Sequence, residues 1–422
     1  MSPGGGTEEK MERQILVVGG GAAGMMAACA AAEAGAAVTL LERNEKLGKK
    51  IYITGKGRCN VTNDCTLEEF LREVPHNPRF LYSALSAFTP QDMMAFLEAN
   101  GCPVTVQRGR RVFPASEKAS DVTRALARAM ERGGVRVRLN ARVSALLLEE
   151  NGAVCAGVRL ESGETLRADA VILCTGGLSA PLTGSTGDGY RLAEASGHPV
   201  HPGIASLTAV ETAESWPMEL QGLSLKNVVL TLTRRKKTLY QEQGELLFTH
   251  FGISGPLTLE MSCHLPESFE DCALALNLKP ALTPEQLDAR LQRELAAAPR
   301  RHLASVMPAL LPARLAAMFP ALCGLDGETV CAQVTRPQRQ RLAEGLQRLP
   351  ITIRRRRPIA EAVVTRGGVD VRAVSAATMA SRTVAGLYFA GELLDVDAHT
   401  GGYNLQIAFA TGRLAGRSAA ER

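Results

Sequence analysis

Hydrophobic positions first gather into an unbroken β-branched run at Gln14–Val18 (QILVV), which predicts a strand buried on both faces. The glycines of GGGAAG (Gly19–Gly24) lead into Ala22–Ala34, rich in Ala and Met, which predicts a helix stopped by Gly35. Val38–Leu41 predicts a second buried strand, ending at Glu42. These three elements make a compact βαβ unit. Beyond it, Glu45–Asn63 is polar, basic and punctuated by Gly48, Gly55 and Gly57, and reads as a loop. Pro78–Asn100 reads as helices, and Val135–Cys174 as strands with a hairpin turn at Glu150–Gly152. The apolar run Ala170–Cys174 ends in Thr175-Gly176-Gly177.

From about Tyr190 the pattern changes. Ser206–Val210, Leu225–Thr233 and Cys272–Leu278 have strand character. Pro284–Leu349 is rich in Leu, Ala and Arg, and predicts a small helical subdomain that Pro308, Pro312 and Pro320 break into short pieces. Strand character returns at Ala362–Val369 and Leu387–Ala390, and Leu405–Leu414 predicts the final helix. The chain thus reads as an α/β dinucleotide domain, interrupted by an insertion with a β-rich part and a helical part. The expected boundaries are a disordered tail at 1–12, the dinucleotide domain at 13–190 and 355–422, the β-rich insert at 191–282 and 349–354, and the helical subdomain at 283–348.

Composition narrows this picture. A chain of 422 residues is too long for one core, and 45% hydrophobic with 22% charged residues is an ordinary globular balance. No apolar run approaches the roughly 20 residues of a membrane span. The opening residues lack the apolar middle of a secretory signal, so a cytoplasmic location is expected. Ten cysteines without a CxxC pair read as reduced, packed thiols, and no metal site is expected. A net charge of +5 is too mild to point to nucleic acid. The run Arg354–Arg357 reads as a solvated strand edge, with a phosphate or acidic-partner contact as the other reading.

The first chemical signal is Gly19-x-Gly21-x-x-Gly24 between strand and helix, with Glu42 at the tip of the next strand. Gly19 permits the tight turn, Gly21 lets a pyrophosphate approach the backbone, and Gly24 lets helix and strand pack closely. The helix N-terminus offers free N–H groups to the phosphates. Glu42 can accept hydrogen bonds from ribose hydroxyls and would repel a 2′-phosphate. This context supports a dinucleotide site but does not separate FAD from NAD.

Several longer motifs do separate them. They are GKGRCNVTN (Gly55–Asn63), RVFPASEKASDV (Arg111–Val122), TGSTGDGY (Thr183–Tyr190), FTHFGISGP (Phe248–Pro256), VTRGGV (Val364–Val369) and GLYFAGELLDVDAHTGGYNLQ (Gly386–Gln406). Carrying them, the chain resembles, over nearly its whole length after Met11, the BaiN-like (YhiN-like) flavoproteins, a family also described as NAD(P)/FAD-dependent or aminoacetone-oxidase-family enzymes. The resemblance implies FAD in a Rossmann-like domain built from both chain ends, with an inserted barrel-like domain and a helical domain. It implies that Glu42 binds the adenosine ribose, that Gly57-Arg58-Cys59-Asn60 approaches the phosphates and flavin ring, and that Gly391-Glu392 holds the ribitol. It also implies that Gly402-Tyr403-Asn404 presents backbone N–H groups at the start of the last helix. The implied contacts further include Ala22, Ala23, Arg43, Lys50, Val143 and Leu405.

The helix placement has its own chemical sense, because a reduced flavin carries negative charge near N1 and the C2 carbonyl, which a helix N-terminus stabilises. Thr175-Gly176-Gly177 would let the chain pass close to a cofactor, or is a packing turn. Gly184-x-x-Gly187-x-Gly189 has the wrong spacing for a second nucleotide loop and reads as a turn opening a helix from Tyr190 to Ser196. The candidates for catalysis are His250, Tyr403 and Cys59, with His399 reading as a surface residue and Arg366 left open. Cys59 reads either as a packed thiol or as a redox thiol activated by Arg58.

Three functions compete. One is reduction of a C=C or C=O bond of a small organic substrate, with NAD(P)H as co-substrate through the flavin. The others are oxidation of a small amine by O₂, and a non-catalytic FAD-containing module that binds RNA or protein. Oligomeric state is not encoded in any motif.

Overall fold

The computed structural model describes residues 12–421. The expected disordered tail at 1–12 lies, except for Glu12, outside them. The βαβ unit forms as predicted: strand Gln14–Val18, helix Ala22–Glu33, strand Ala37–Leu41. The first strand aligns in parallel with the second, Gln14 opposite Ala37 and Val18 opposite Leu41. It also aligns in parallel with Ala170–Leu173, Ile15 opposite Ala170. The finished sheet has five parallel strands in the order Leu387–Phe389, Ala170–Leu173, Gln14–Val18, Ala37–Leu41, Arg136–Arg138. One outer strand thus comes from the C-terminal segment, which makes this Rossmann-like sheet a product of both chain ends.

The described chain separates into two compact units, one running to Ser206 and resuming at Pro358, the other Leu207–Arg357. The first crossing falls later than the expected 190 because strand Val200–Ser206 pairs antiparallel with Val364–Val369, and so stays with the first unit. The return falls later than the expected 355 because Ile353–Arg356 pairs with Val210–Thr212 inside the second unit.

In the first unit, the closing helix Tyr403–Glu421 lies against helix Ala22–Glu33. Gly412 and Gly416, four residues apart, share the face that makes this approach. A Cβ at Gly412 would lie 2.3 Å from the Ala23 carbonyl oxygen. The alanine-rich first helix offers small side chains in return. The segment 45–63, expected to be a loop, contains a short helix Lys49–Ile53 and a turn Thr54–Gly57. Gly48 in a left-handed conformation starts this helix, and buried Ile51 anchors it. The turn at Gly187 opens helix Asp188–Ala195, as its spacing suggested.

The second unit holds a seven-stranded antiparallel sheet. Its two outer strands, Leu349–Ile351 and Ile353–Arg356, are separated in the chain only by Thr352, so the sheet curls back on itself like a barrel. Helices Pro284–Ala297, Ala313–Leu322 and Arg336–Arg348 share one hydrophobic core with this sheet, through Leu287, Leu291 and Leu346 beside Leu230 and Leu276. The helical segment therefore has no separate core. Pro320 does not break its helix: it sits inside Ala313–Leu322, near the C-terminal end. Pro312 caps that helix, and Pro308 lies in the turn Met307–Ala309.

Candidate functional site

The glycine turn separates close packing from ligand access residue by residue. Gly19 is left-handed at φ +105°, and a Cβ at Gly24 would lie 1.8 Å from the Gly19 carbonyl oxygen. A Cβ at Gly21, by contrast, would meet nothing within 4 Å. Gly21 is also the N-cap of helix Ala22–Glu33 and supplies no capping side chain, so the helix turns its free N–H groups toward open space. Ala22 and Ala23 begin that helix and are buried. Glu42 is buried beside the turn, and its Oε2 accepts a hydrogen bond from Gly20 N at 2.6 Å. Its Oε1 accepts from Asn44 N at 2.8 Å and Asn44 Nδ2 at 2.6 Å. The carboxylate thus fixes the turn while keeping lone pairs for further donors.

Arg43 is committed within the protein: its Nη1 donates to Thr186 Oγ1 at 2.5 Å and Asp188 Oδ2 at 2.8 Å. Asp188 also receives Arg142 Nε at 2.9 Å and an ion pair from Arg191. Burial acts to raise the Asp188 carboxyl, but these arginines outweigh it and hold it below its ordinary range. Val143, next to Arg142, is buried at the start of strand Val143–Glu149.

Lys50 and Glu392, more than 300 positions apart, meet at 2.6 Å. Lys50 Nζ also donates to Ser179 Oγ at 2.6 Å, while Glu392 Oε1 accepts from Ser179 Oγ at 2.9 Å and Thr365 N at 2.8 Å. Gly177 is required beside this network, because a Cβ there would lie 2.5 Å from Thr365 Oγ1. Gly391 is left-handed at φ +74° and its N–H is held by Thr411 Oγ1 at 3.0 Å.

The loop before the closing helix lies on the segment after Cys59. A Cβ at Gly402 would lie 2.4 Å from the Thr62 carbonyl oxygen, and Asn63 Nδ2 donates to Gly401 O at 3.3 Å. The Asn404 side chain clamps the loop ahead of it, accepting from Ala398 N at 2.9 Å and donating to Ala398 O at 2.7 Å. Its part is therefore to shape the helix entrance, where the backbone N–H groups of Tyr403, Asn404 and half-buried Leu405 begin the helix. Asn60 Oδ1, Thr62 Oγ1 and Thr175 Oγ1 are buried and have no hydrogen-bond partner in the protein. Buried polar atoms are rarely left so. A ligand rich in hydroxyl, phosphate and carbonyl groups, such as a flavin dinucleotide, fits these orphans and the Gly21 approach together.

A second polar cluster joins Arg366, which the sequence left open, to His76, Asp397 and Ser206, which the sequence reading passed over. His76 Nδ1 lies 2.7 Å from Asp397 Oδ1, and Ser206 Oγ donates to Asp397 Oδ2 at 2.5 Å. Arg366 Nη1 lies 3.4 Å from the other ring nitrogen of His76. Asp397 is fully buried, while the His76 side chain is 32% exposed. The signal available in the sequence was Asp395-Val396-Asp397-Ala398-His399, three titratable residues in five, just before the Gly401-Gly402 pair.

With this geometry described, comparison with known proteins adds the lineage. The HI0933-like protein Rossmann domain matches residues 13–418. The chain belongs to the HI0933-like family. This is the BaiN-like or YhiN-like group that its motifs resemble, and it places the protein among Rossmann-fold FAD-dependent oxidoreductases. The chain is 32% identical over 390 residues to the 3-dehydro-bile acid delta(4,6)-reductase of Clostridium scindens, covering 92% of this chain and 93% of that one. It is 31% identical over 382 residues to the ribosomal RNA dihydrouridine synthase of Haemophilus influenzae, covering 89% and 91% respectively. Among solved structures, the 3-ketosteroid delta1-dehydrogenase of Sterolibacterium denitrificans shares the fold with a TM-score of 0.52 at 15% identity, covering 97% of this chain and all of that one.

Within this family fold the candidates for catalysis separate. Cys59 is fully buried, and burial pushes its thiol up to about 12. The activating arginine is turned elsewhere: the Arg58 guanidinium lies 4.3 Å from the Phe113 ring centroid and pairs with Glu117. Cys59 therefore packs as a hydrophobe and is corrected from redox candidate to core thiol. Tyr403 is buried with its ring edge-on to Phe70 at 5.0 Å, and burial raises its phenol. His250 belongs to the second unit, where it is exposed and meets the Phe251 ring edge-on, with centroids 4.9 Å apart. His399 Nδ1 pairs with Glu73 at 3.0 Å on the first unit. Arg354–Arg356 lies on the outer strand Ile353–Arg356 with Arg357 just beyond it, and Arg355 and Arg357 share the single buried carboxylate of Glu211 at 2.7 Å, which offsets one of the four positive charges.

Proposed function

We propose that this protein is an FAD-dependent reductase that saturates a ring C=C bond conjugated to a carbonyl, with NAD(P)H as electron donor. The observation that carries the reading is the cradle: an uncapped helix N-terminus behind Gly21, a buried ribose-facing acid at Glu42, and orphaned polar atoms at Asn60, Thr62 and Thr175. In it, Gly21, Ala22 and Ala23 receive the pyrophosphate and Glu42 the adenosine ribose. Lys50 and Glu392 orient the ribityl chain. The helix start at Gly402–Leu405 faces the flavin edge where negative charge gathers on reduction. Bound FAD supplies two-electron transfer from nicotinamide to substrate.

The substrate class rests on what the relatives' names have in common. A delta(4,6)-reductase and a dihydrouridine synthase both add two hydrogens across a ring C=C bond next to a carbonyl. A small conjugated enone is the first reading. A uridine in RNA is the second, and one surface favours it: exposed Lys236 and Lys237, beside Arg235 paired with Asp271 at 2.8 Å, make a basic tip where strand Ser224–Arg234 turns into Lys237–Thr249.

The test begins with the colour of the pure protein. Anaerobic NADH or NADPH should bleach bound flavin, and 4-androstene-3,17-dione, cyclohex-2-enone or a uridine-containing RNA should restore it. Failure of both nicotinamides removes the donor. Failure of every acceptor, with peroxide formed from amines in air instead, replaces the reductase with an oxidase.

A further inference from the structure

We propose that His76, oriented by buried Asp397 and flanked by Arg366, is the residue that delivers the proton completing reduction of the C=C bond. The inference rests on the reductase reading above and adds to it a proton donor separate from the groups assigned to the cofactor.

The chemistry of the partners fixes the histidine's tautomer. An ionised carboxylate has no proton to give, so at 2.7 Å the His76 Nδ1 must carry hydrogen and donate to Asp397. Arginine has no acceptor, so at 3.4 Å the neutral ring's Nε2 presents its lone pair to Arg366 Nη1. Asp397 is held in turn by Ser206 Oγ at 2.5 Å. A buried acid that orients a histidine and leaves a lone pair on its second nitrogen is the general acid–base arrangement. The partial exposure of His76 allows proton exchange with water.

Position supports the role. Arg366 directly follows Thr365, whose N–H is bound to Glu392 at 2.8 Å. Asp397 directly precedes Ala398, which Asn404 ties to the start of the closing helix. The cluster is therefore bracketed by the two segments assigned to the ribityl chain and the flavin edge. The other charged groups around it are Asp395, whose Oδ1 accepts from Gly367 N at 3.0 Å, His201, which lies 3.4 Å from Asp370 and 4.0 Å from Asp395, and the Glu73–His399 pair. None of these contacts the His76 ring at hydrogen-bond distance among the described pairs.

The step balances as follows. Bound FAD, once reduced, would supply the hydride that makes the new C–H bond at the β-carbon of the conjugated substrate. The π electrons move onto the α-carbon and carbonyl oxygen, where the Arg366 guanidinium offsets the enolate charge. With Arg366 turned from the His76 ring to the substrate oxygen, protonated His76 gives its Nε2 proton to the α-carbon, leaving neutral imidazole. Water returns the proton to His76, and NAD(P)H returns the two electrons to the flavin.

Enzyme reduced anaerobically with dithionite is mixed with 4-androstene-3,17-dione, cyclohex-2-enone or a uridine-containing RNA, and flavin reoxidation is followed by absorbance. His76→Gln should slow reoxidation at least ~100-fold while retaining FAD and thermal stability. Asp397→Asn should slow it about tenfold or more and shift the pH profile. The unaltered rate should fall as pH rises, and the His76→Gln profile should be flat over the same interval. An independent readout is the ¹⁵N spectrum of histidine-labelled oxidised protein: neutral His76 should be the Nδ1–H tautomer, and Asp397→Asn should lower the pH at which it titrates. A His76→Gln enzyme with unaltered rate and pH profile, or an Nε2–H tautomer in the unaltered protein, overturns the assignment. Reoxidation by none of the three acceptors in the unaltered enzyme overturns the reductase reading instead, with the tautomer still deciding whether His76 is oriented as inferred.

Discussion

Gly416 sits directly under Ala27: a Cβ at Gly416 would lie 2.1 Å from the Ala27 carbonyl oxygen. Because the obstacle is helix backbone, it cannot rotate away as a side chain would. Gly416→Ala should therefore push the closing helix off helix Ala22–Glu33, at a cost of about 2–3 kcal/mol in unfolding free energy. Both helices begin at the cradle, one at Gly21 and the other at Gly402, so the same variant should weaken FAD binding. Urea unfolding and flavin titration of the apoprotein check the two effects.

The Lys50–Glu392 pair tests how the N-terminal and C-terminal segments cooperate. Each side chain is about one-fifth exposed, so water screens the pair only in part. Lys50→Met leaves Glu392 with Ser179 and Thr365 but removes its only charged partner among the described contacts. FAD affinity should fall roughly tenfold, the equivalent of a charged hydrogen bond worth about 1.5 kcal/mol. Lys50→Arg should restore part of it. Equal affinity in Lys50→Met and the unaltered protein would remove the pair from the cofactor site.

What could be read in advance followed local rules. Gln14–Val18, helix Ala22–Glu33 and strand Ala37–Leu41 lie within a residue of their predicted limits, since an apolar run, a helix-forming composition and a glycine turn act over short range. The final helix runs well beyond its predicted Leu414, to Glu421, because small residues such as Ala415, Gly416 and Ala419 carry little amphipathic signal yet pack tightly. The His76–Asp397 pair was illegible for another reason. Its members lie 321 positions apart, and only the fold brings Pro-flanked His76 to the loop before the closing helix. Adjacency alone left Cys59 with two readings, packed thiol or thiol activated by Arg58: successive residues need not point the same way, and here one is buried while the other stacks on Phe113, which favours the packed thiol.

Glu42 should matter for the turn before it matters for a ligand. Its Oε2 holds Gly20 N at 2.6 Å in a buried setting, and no other side chain is recorded on that N–H. Glu42→Ala should destabilise the protein by about 1–3 kcal/mol through the unsatisfied amide. Glu42→Gln keeps one acceptor, which can serve Gly20 or Asn44 but not both, so it should recover only part of the stability while binding FAD more weakly than the unaltered protein. Denaturation curves and flavin titration separate these two losses. Identical FAD affinity in Glu42→Gln and the unaltered protein would take Glu42 out of ribose recognition.

The buried thiols make the protein's alkaline limit predictable. Burial raises Cys29, Cys59 and Cys323 from 9.0 to about 12. In the unfolded chain these thiols ionise near pH 9, whereas in the folded protein they stay protonated. A raised folded-state pKa means that the stability contribution is whole below pH 9 and is lost as pH climbs toward 12. Between those values each thiol should remove up to about 1.4 kcal/mol of stability per pH unit. The urea midpoint should therefore be flat near pH 8 and fall steeply above pH 9. Cys59→Ala, which removes one such group, should make that fall shallower, and a native protein at pH 8 should not be labelled at Cys59 by iodoacetamide. Rapid labelling there would show a thiolate, and would reopen Cys59 as a redox residue beside the cofactor.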